Sequence, residues 1–424
     1  MRANKITFVC VLDACTSYGS LIEGMQIHVH ILASPFLKDV DIGSSLINMY
    51  GKCGKLQHSW DLFTRMPEQN VISWTAMITV YSYHGHIEEG VQIFHQMFQE
   101  GIIPNEVTYV SIFGAGRKEA TFSLGKQLHS CIVNGDHERD VNVQNALISM
   151  YGNSGSINNA ETVFRGMTER NIVSWTSMMG VYAENGEGVE ALAFYKLMQS
   201  EAIQPDRTMF LCVLDACTLC LDLGRGEQEL HRFLECGSEI DSITGTALIN
   251  LYGKCGRLDD AKMMFYKLPD RGLVSWTVII ALCAQHGECL VVFKLFHQMQ
   301  QLGIYPDDLT FICMLYACSH AGLIDEGQYL FLCMIHEHSI IPSIDHYVCI
   351  VDLLGRAGCL DEANILMNNL SLQPTSELLM AFLGACRYKA DVEHGENYAN
   401  KMFGIDPTNA APYVILSNIY SSWS

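Results

Sequence analysis

One interval constrains this chain more than any other feature. The string Ser-Trp-Thr occurs at Ser73-Trp74-Thr75, again at Ser174-Trp175-Thr176 and again at Ser275-Trp276-Thr277, each copy 101 residues after the last. A second string keeps the same interval: Met49-Tyr50-Gly51-Lys52-Cys53-Gly54, Met150-Tyr151-Gly152-Asn153-Ser154-Gly155 and Leu251-Tyr252-Gly253-Lys254-Cys255-Gly256. Leu353-Leu354-Gly355-Arg356-Ala357-Gly358 is a looser fourth copy. Unrelated domains would not hold one register, so the chain is a repeat array.

Each block divides into units of 35, 31 and 35 residues, which gives eleven units without linkers. They span 4–38, 39–69, 70–104, 105–139, 140–170, 171–205, 206–240, 241–271, 272–306, 307–342 and 343–374. Within a unit the apolar period is helical. In 70–104, Val71, Trp74, Met77, Ile78 and Tyr81 follow i, i+3, i+4 spacing. Gly85 breaks the run, and Ile87, Val91, Ile93, Phe94 and Met97 begin a second helix that Gly101 and Pro104 end. One such hairpin cannot bury its apolar face, but stacked neighbours can, so an all-α solenoid is expected.

Composition narrows the function classes. Apolar residues form 49% of the chain and charged residues 17%, which excludes a disordered chain. No apolar run is long enough for a transmembrane helix. Lys and Arg number 26 against 46 Asp and Glu, a formal charge of −20, so this is no generic polyanion binder held by a basic field. The 17 cysteines lie among apolar neighbours and read as reduced packing residues. Ala14-Cys15, Ala216-Cys217 and Ala317-Cys318 share one register with Ala115-Gly116, and Cys10, Cys212 and Cys313 share another with Ser111. Interchange with Gly and Ser suits tight packing rather than thiol chemistry.

These strings resemble the plant-type P-L-S subclass of pentatricopeptide repeat proteins. The Val/Ile-Ser-Trp-Thr start is similar to its P units, the Met-Tyr-Gly-Lys-Cys-Gly core to its S units, and Gly24-Met25-Gln26-Ile27-His28 and Gly125-Lys126-Gln127-Leu128-His129 to its L units. The run Gly226-Glu227-Gln228-Glu229-Leu230-His231 is a one-residue variant of the last. Residues 375–424, with Leu383-Gly384-Ala385-Cys386-Arg387 and Asp406-Pro407, resemble a truncated form of the E extension that follows the repeats in organelle RNA-editing members. The resemblance implies a right-handed superhelix of hairpins that reads single-stranded RNA, one base per repeat.

It also implies the reading residues: the fifth of each unit, counted from its apolar start, with the residue that precedes the next start. The pairs are Ser44 with Asn70, Thr75 with Asn105, Asn145 with Asn171, Thr176 with Asp206, and Thr277 with Asp307. Thr246 is followed by Gly272 and lacks a second reader, and Val348 with Thr375 is also off the pattern. Val9, Val110, Leu211 and Ile312 fill the fifth position of the L units and cannot hydrogen-bond a base. In the family such pairs imply adenine for Thr or Ser with Asn, cytosine for Asn with Asn, and guanine for Thr with Asp, so the expected order is 5′-A-A-n-C-G-n-n-G-3′. Ile72, Val173 and Val274, two places in, would sandwich base faces, and Lys52, Lys254 and Arg356 share a register from which they would reach phosphates.

Plainer roles compete for the same residues. Thr75, Thr176 and Thr277 also suit local capping groups at a helix start. Asp206, Asp241 and Asp307 suit the positive end of the helix dipole. Trp74, Trp175 and Trp276 read as core. Cys217-Thr218-Leu219-Cys220 has no second pair at zinc spacing, and His336-Glu337-His338 lacks the i, i+4 histidines of a zincin helix. No His-x-Glu with Pro-Cys-x-x-Cys deaminase signature occurs, nor any other catalytic string, so the chain reads as a non-enzyme without cofactors.

The expected function is a monomeric RNA-binding adaptor in organellar RNA processing or C-to-U editing. A separate deaminase-bearing partner would dock on the E-like tail. The alternative is a scaffold that holds an extended peptide in its groove. Family resemblance points to the mitochondrion or chloroplast, although the opening Met-Arg-Ala-Asn-Lys-Ile carries no transit segment.

Overall fold

A computed structural model describes residues 4–113, 125–130, 139–201, 203–368, 374–406 and 409–423. The pair Ala115-Gly116 and Pro407 lie outside the described residues. The described residues contain helices and no strand. No helix among them is long and apolar enough to cross a membrane. The chain forms two compact units, Met1–Cys220 and Leu221–Ser424, each a stack of helical hairpins.

In the first unit the leading helices of the hairpins are Lys5–Tyr18, Val40–Lys52, Val71–Tyr83, Glu106–Phe113, Val141–Asn153, Ile172–Glu184 and Arg207–Cys220. In the second they are Ser242–Lys254, Leu273–Gln285, Asp308–Ala321, Ile344–Arg356 and Ser376–Lys389. Neighbouring leading helices pack side by side within each unit, so each forms a continuous layer. The trailing helices, such as Leu56–Arg65 and Ile87–Gln99, pack on their own leading helix and on the next one. At the carboxyl end Ala411–Trp423 packs on both Ser376–Lys389 and Val392–Ile405, with the Phe403 and Tyr413 rings stacked at 4.0 Å.

The helix starts have a common cause. Asn70 Oδ1 accepts from the Ile72 and Ser73 amides at 3.0 and 3.1 Å, while the Ser73 hydroxyl accepts from the Asn70 amide at 3.0 Å. Asn171 with Ser174, and Asp241 with Thr244, build the same reciprocal box. Each cap is worth about 1 kcal/mol. Gly54 and Gly85, at φ of +77° and +73°, turn the chain from leading to trailing helix in a conformation that a side chain with Cβ resists.

The three repeated tryptophans are core, in the same pocket each time. Trp74, Trp175 and Trp276 are at most 1% exposed. Phe63, Phe164 and Phe265 of the preceding trailing helix meet them edge-on at 4.8, 4.9 and 4.7 Å. Their indole N–H groups have no partner, so the rings serve packing alone.

The glycine of the Tyr-Gly string is a point of close approach. A Cβ on Gly51 would lie 2.1 Å from a Val80 methyl, and on Gly152 and Gly253 it would meet Val181 and Leu282 at 2.3 Å. The same glycines give their carbonyls to the next leading helix: His84 Nε2 and His286 Nε2 donate to Gly51 O and Gly253 O at 2.7 and 3.0 Å, and Asn185 Nδ2 donates to Gly152 O at 3.1 Å. The Gly-x-Gln-x-His string locks the other side of the same helix. A Cβ on Gly24 or Gly125 would strike the Met49 or Met150 sulfur, and His28 and His129 bond the Tyr50 and Tyr151 hydroxyls at 2.9 and 2.8 Å.

Gly51→Ala should therefore lower stability by roughly 1–3 kcal/mol through overpacking against Val80. Chemical denaturation of the purified chain measures it. A loss below about 0.5 kcal/mol would show that the two helices can part at no cost.

Candidate nucleic-acid interface

Within each unit the layer sets each fifth residue on one leading helix and its partner at the start of the next; Asn145 approaches Asn171 directly, and Thr75 and Thr277 reach Asn105 and Asp307 through Thr108 and Thr310. Ser44, Thr75, Asn145 and Thr277 are 8% exposed or less, whereas Asn70, Asn171 and Asp206 are open to solvent. The first members thus form a floor and the second members a rim. The partners that precede each start are also N-caps. Asn105, Asp206 and Asp307 accept from the amides of Thr108, Met209 and Thr310 at 3.0, 2.8 and 2.9 Å.

The fifth residues differ in what holds them. Thr75 Oγ1 lies 2.7 Å from Thr108 Oγ1, and Thr277 Oγ1 lies 2.9 Å from Thr310 Oγ1. Ser44, Thr176 and Thr246 instead donate to the carbonyls of Val40, Ile172 and Ser242 at 2.8, 2.8 and 2.6 Å. None of these threonines caps a helix; Asn70, Asn171 and Asp241 cap the helices of Thr75, Thr176 and Thr246, and the helix of Thr277 starts at Gly272. Asn145 Nδ2 approaches Asn171 Oδ1 at 3.4 Å, and Asn145 Oδ1 is buried without a partner. Gly272 starts its helix with no side-chain cap, and Thr375 accepts from the Leu378 amide at 3.5 Å beside half-buried Val348.

One open groove shows how these parts meet. A space of about 470 Å³ is lined by Thr75, Asn105, Ile72 and Lys52, together with Asn48, Thr79, Val107 and Asp13. Hydroxyl, amide, apolar side chain and cation therefore share one site. Ile72, Val173 and Val274 are 49%, 51% and 67% exposed, unusual for apolar residues on a packed helix. Val107, Ile243 and Leu309 occupy the same offset from their caps and are equally exposed. The sequence reading missed them, though the offset alone would have found them.

The cations differ. Lys52 stands over the Tyr83 ring at 5.9 Å, and Lys254 donates to Gln285 at 3.0 Å, so both keep an uncompensated charge. Arg356 is paired with Asp352 at 2.9 Å.

The chain belongs to the pentatricopeptide repeat family. The sequence model described as the PPR repeat family matches residues 69–115 and 271–320, and the PPR repeat model matches 44–71, 145–172, 173–203, 246–273 and 309–338. The Arabidopsis thaliana pentatricopeptide repeat-containing protein At5g40410, mitochondrial, is 34% identical over 429 residues, covering 100% of this chain and 69% of that protein. The protein CRR2, chloroplastic, of the same plant is 32% identical over 423 residues, covering 98% and 64%. Several such relatives are longer: the chain spans 65% of one, 60% of another and 51% of a third. In fold, it is similar to the pentatricopeptide repeat protein PPR10 in complex with an 18-nt psaJ RNA element, with TM-score 0.68, 15% identity, and coverage of 99% of this chain and 66% of that one.

Thiol and metal chemistry find little support here. Burial pushes the Cys212 and Cys283 thiols up to about 11, and those of Cys318, Cys349 and Cys386 up to about 12, so they stay protonated at neutral pH. Cys333 joins Glu337 and His338 in a cluster whose potential ligand atoms lie within 4.8 Å of one another. The sequence reading passed it over because it weighed only the histidine spacing. Its thiol donates to Glu337 at 3.4 Å, and burial first, then Glu337, raises it to about 11. Three ligands are one short of a structural zinc site. Alkylation at pH 8 should label the exposed Cys10 and Cys236 first and reach Cys318 and Cys386 only on unfolding. Mass spectrometry of timed digests reads this, and early modification of Cys318 would refute the burial assignment.

Proposed function

We propose that this chain is a sequence-specific single-stranded RNA-binding adaptor in which successive hairpins read successive bases. The groove that gathers Thr75, Asn105, Ile72 and Lys52 carries the proposal. It supplies polar groups for a base edge, an apolar group for a base face and a cation for a phosphate. The buried, unpartnered Asn145 Oδ1 adds an acceptor that the protein itself leaves unused. RNA bound to the related fold of PPR10 points the same way.

On this reading the eleven units 4–374 are P-L-S triplets, 375–424 is an E-like extension that docks a separate deaminase-bearing factor, and the role is processing or editing of an organellar transcript. The mitochondrial and chloroplastic names of the relatives support the compartment. The L units, with Val9, Val110, Leu211 and Ile312 at the fifth position, do not read a base edge.

Selection from a random RNA pool should return 5′-A-A-n-C-G-n-n-G-3′, and Thr176→Asn should change the fifth base alone. Recovery of no ordered motif, or capture of basic peptides in preference to RNA, would overturn the reading.

Lys52 and Lys254 carry no ion pair among the described residues, which predicts weak salt dependence. With about −0.7 per neutralised phosphate for single strands, Lys52 and Lys254 together give a log Kd against log salt slope of magnitude about 1.4. A magnitude above about 4 in a salt titration would show that phosphate attraction, not base contact, holds the RNA.

A further inference from the structure

The two Thr-Asp pairs, Thr176 with Asp206 and Thr277 with Asp307, carry the same reading side chains but differ in the residue between them. Thr310 is fully buried between Thr277 and Asp307, and its counterpart between Thr176 and Asp206 is Met209. Thr310 Oγ1 lies 2.5 Å from Asp307 Oδ1 and 2.9 Å from Thr277 Oγ1. An ionised carboxylate only accepts, so the Thr310 hydroxyl donates to Asp307. Its one proton is then committed, and the contact with Thr277 requires Thr277 to donate to it. The alternative acceptor for Thr277 is the Leu273 carbonyl at 3.1 Å, so its proton points into the protein either way. Thr277 therefore has lone pairs alone left to offer, beside the carboxylate of Asp307.

Two adjacent acceptors complement a base edge with two adjacent donors. Guanine has one, its N1–H and N2 amino group. The edges of adenine, cytosine and uracil offer a single donor position beside an acceptor. At the other pair nothing fixes this polarity so firmly. Met209 contributes only its amide to Asp206 at 2.8 Å, and Thr176 is held by a single bond to Ile172 O, from which its hydroxyl can turn to donate.

We propose that Thr310 is a specificity-determining positioning residue that locks Thr277 and Asp307 into an acceptor-only, guanine-selective pair. Thr108 fixes the polarity of Thr75 and Asn105 in the same way, but as a mixed acceptor-donor pair. It donates to Asn105 Oδ1 at 2.9 Å and accepts from the Asn105 amide at 3.2 Å, leaving Thr75 as acceptor and the Asn105 Nδ2 hydrogens as donors. This rests on the RNA-reading proposal above.

The test uses the full chain and synthetic RNAs of the expected order with adenine in place of the first or the second guanine. In wild type the guanine-over-adenine affinity ratio should be about fivefold larger at the Thr277-Asp307 position than at the Thr176-Asp206 position, the value of one neutral hydrogen bond. Thr310→Val should reduce the first ratio to the level of the second without moving the second, and Thr310→Ser should retain it. Met209→Thr should raise the second. Thermal melts of each variant separate loss of packing from loss of reading, because instability weakens all RNAs alike. Equal wild-type ratios, or a ratio untouched by Thr310→Val, would overturn the proposal. RNA binding without any base preference in wild type would overturn the RNA-reading proposal itself.

Discussion

The hydrogen bond from a first-turn amide to the cap side chain fixes both where most leading helices begin and where their rim residues stand. In Asn70, Asn105, Asn171, Asp206 and Asp307 the side-chain oxygen that accepts this bond belongs to the group offered to the groove. Asn, Asp, Ser, Thr and Gly are the residues that start helices well, with small differences among the polar ones. The twelve starts hold only these: Asn4, Asp39, Asn70, Asn105, Asp140, Asn171, Asp206, Asp241, Gly272, Asp307, Ser343 and Thr375. The rim can therefore vary between donor and acceptor chemistry while the fold barely changes in stability. On the proposed function, this decoupling lets one scaffold present different base-edge patterns unit by unit.

The floor residues obey a different constraint. They lie between two helices held at a distance set by contacts such as Gly51 against Val80, so their rotamers depend on the neighbouring hairpin. Thr75 and Thr277 answer to Thr108 and Thr310, which are 33 residues away in sequence. On the proposed function, reading by a unit is thus a property of a junction, and moving a hairpin to a new neighbour would change its polarity even with both proposed reading residues intact.

This separates what was legible in the sequence from what was not. Helix starts, turns and the tryptophan core follow from local rules, since caps, glycines and the 3.6-residue period act within one hairpin. The bonds of His28 to Tyr50, His84 to Gly51 and Thr75 to Thr108 span 22 to 33 residues and leave no local trace. The threonines illustrate the limit: placed next to Ser-Trp they suit a capping role, and only the packing of two helices shows the Thr75 and Thr277 hydroxyls against the neighbour while Thr176 bonds its own helix. Val107, Ile243 and Leu309 were legible from their offset from the cap, and their exposure matches that of Ile72, Val173 and Val274.

Charge gives the last constraint. Acids recur in the first turns of trailing helices, as Glu88 and Glu89, Asp259 and Asp260, Asp325 and Glu326, and Asp361 and Glu362. There they favour the helix dipole at the end opposite to the reading caps of the leading helices. A net charge of −20 is thereby compatible with a groove that holds Lys52 outside any ion pair among the described residues. Arg356 does not: Asp352 holds it, and Ser319 donates to the same carboxylate at 2.5 Å. The register that looked like three equal phosphate contacts in the sequence is reduced by a residue four positions earlier on the same helix. On the proposed reading, with so little long-range attraction, discrimination rests on the direction in which each hydroxyl and amide points, a direction that Thr108 and Thr310 set at their pairs and Met209 leaves open at its own.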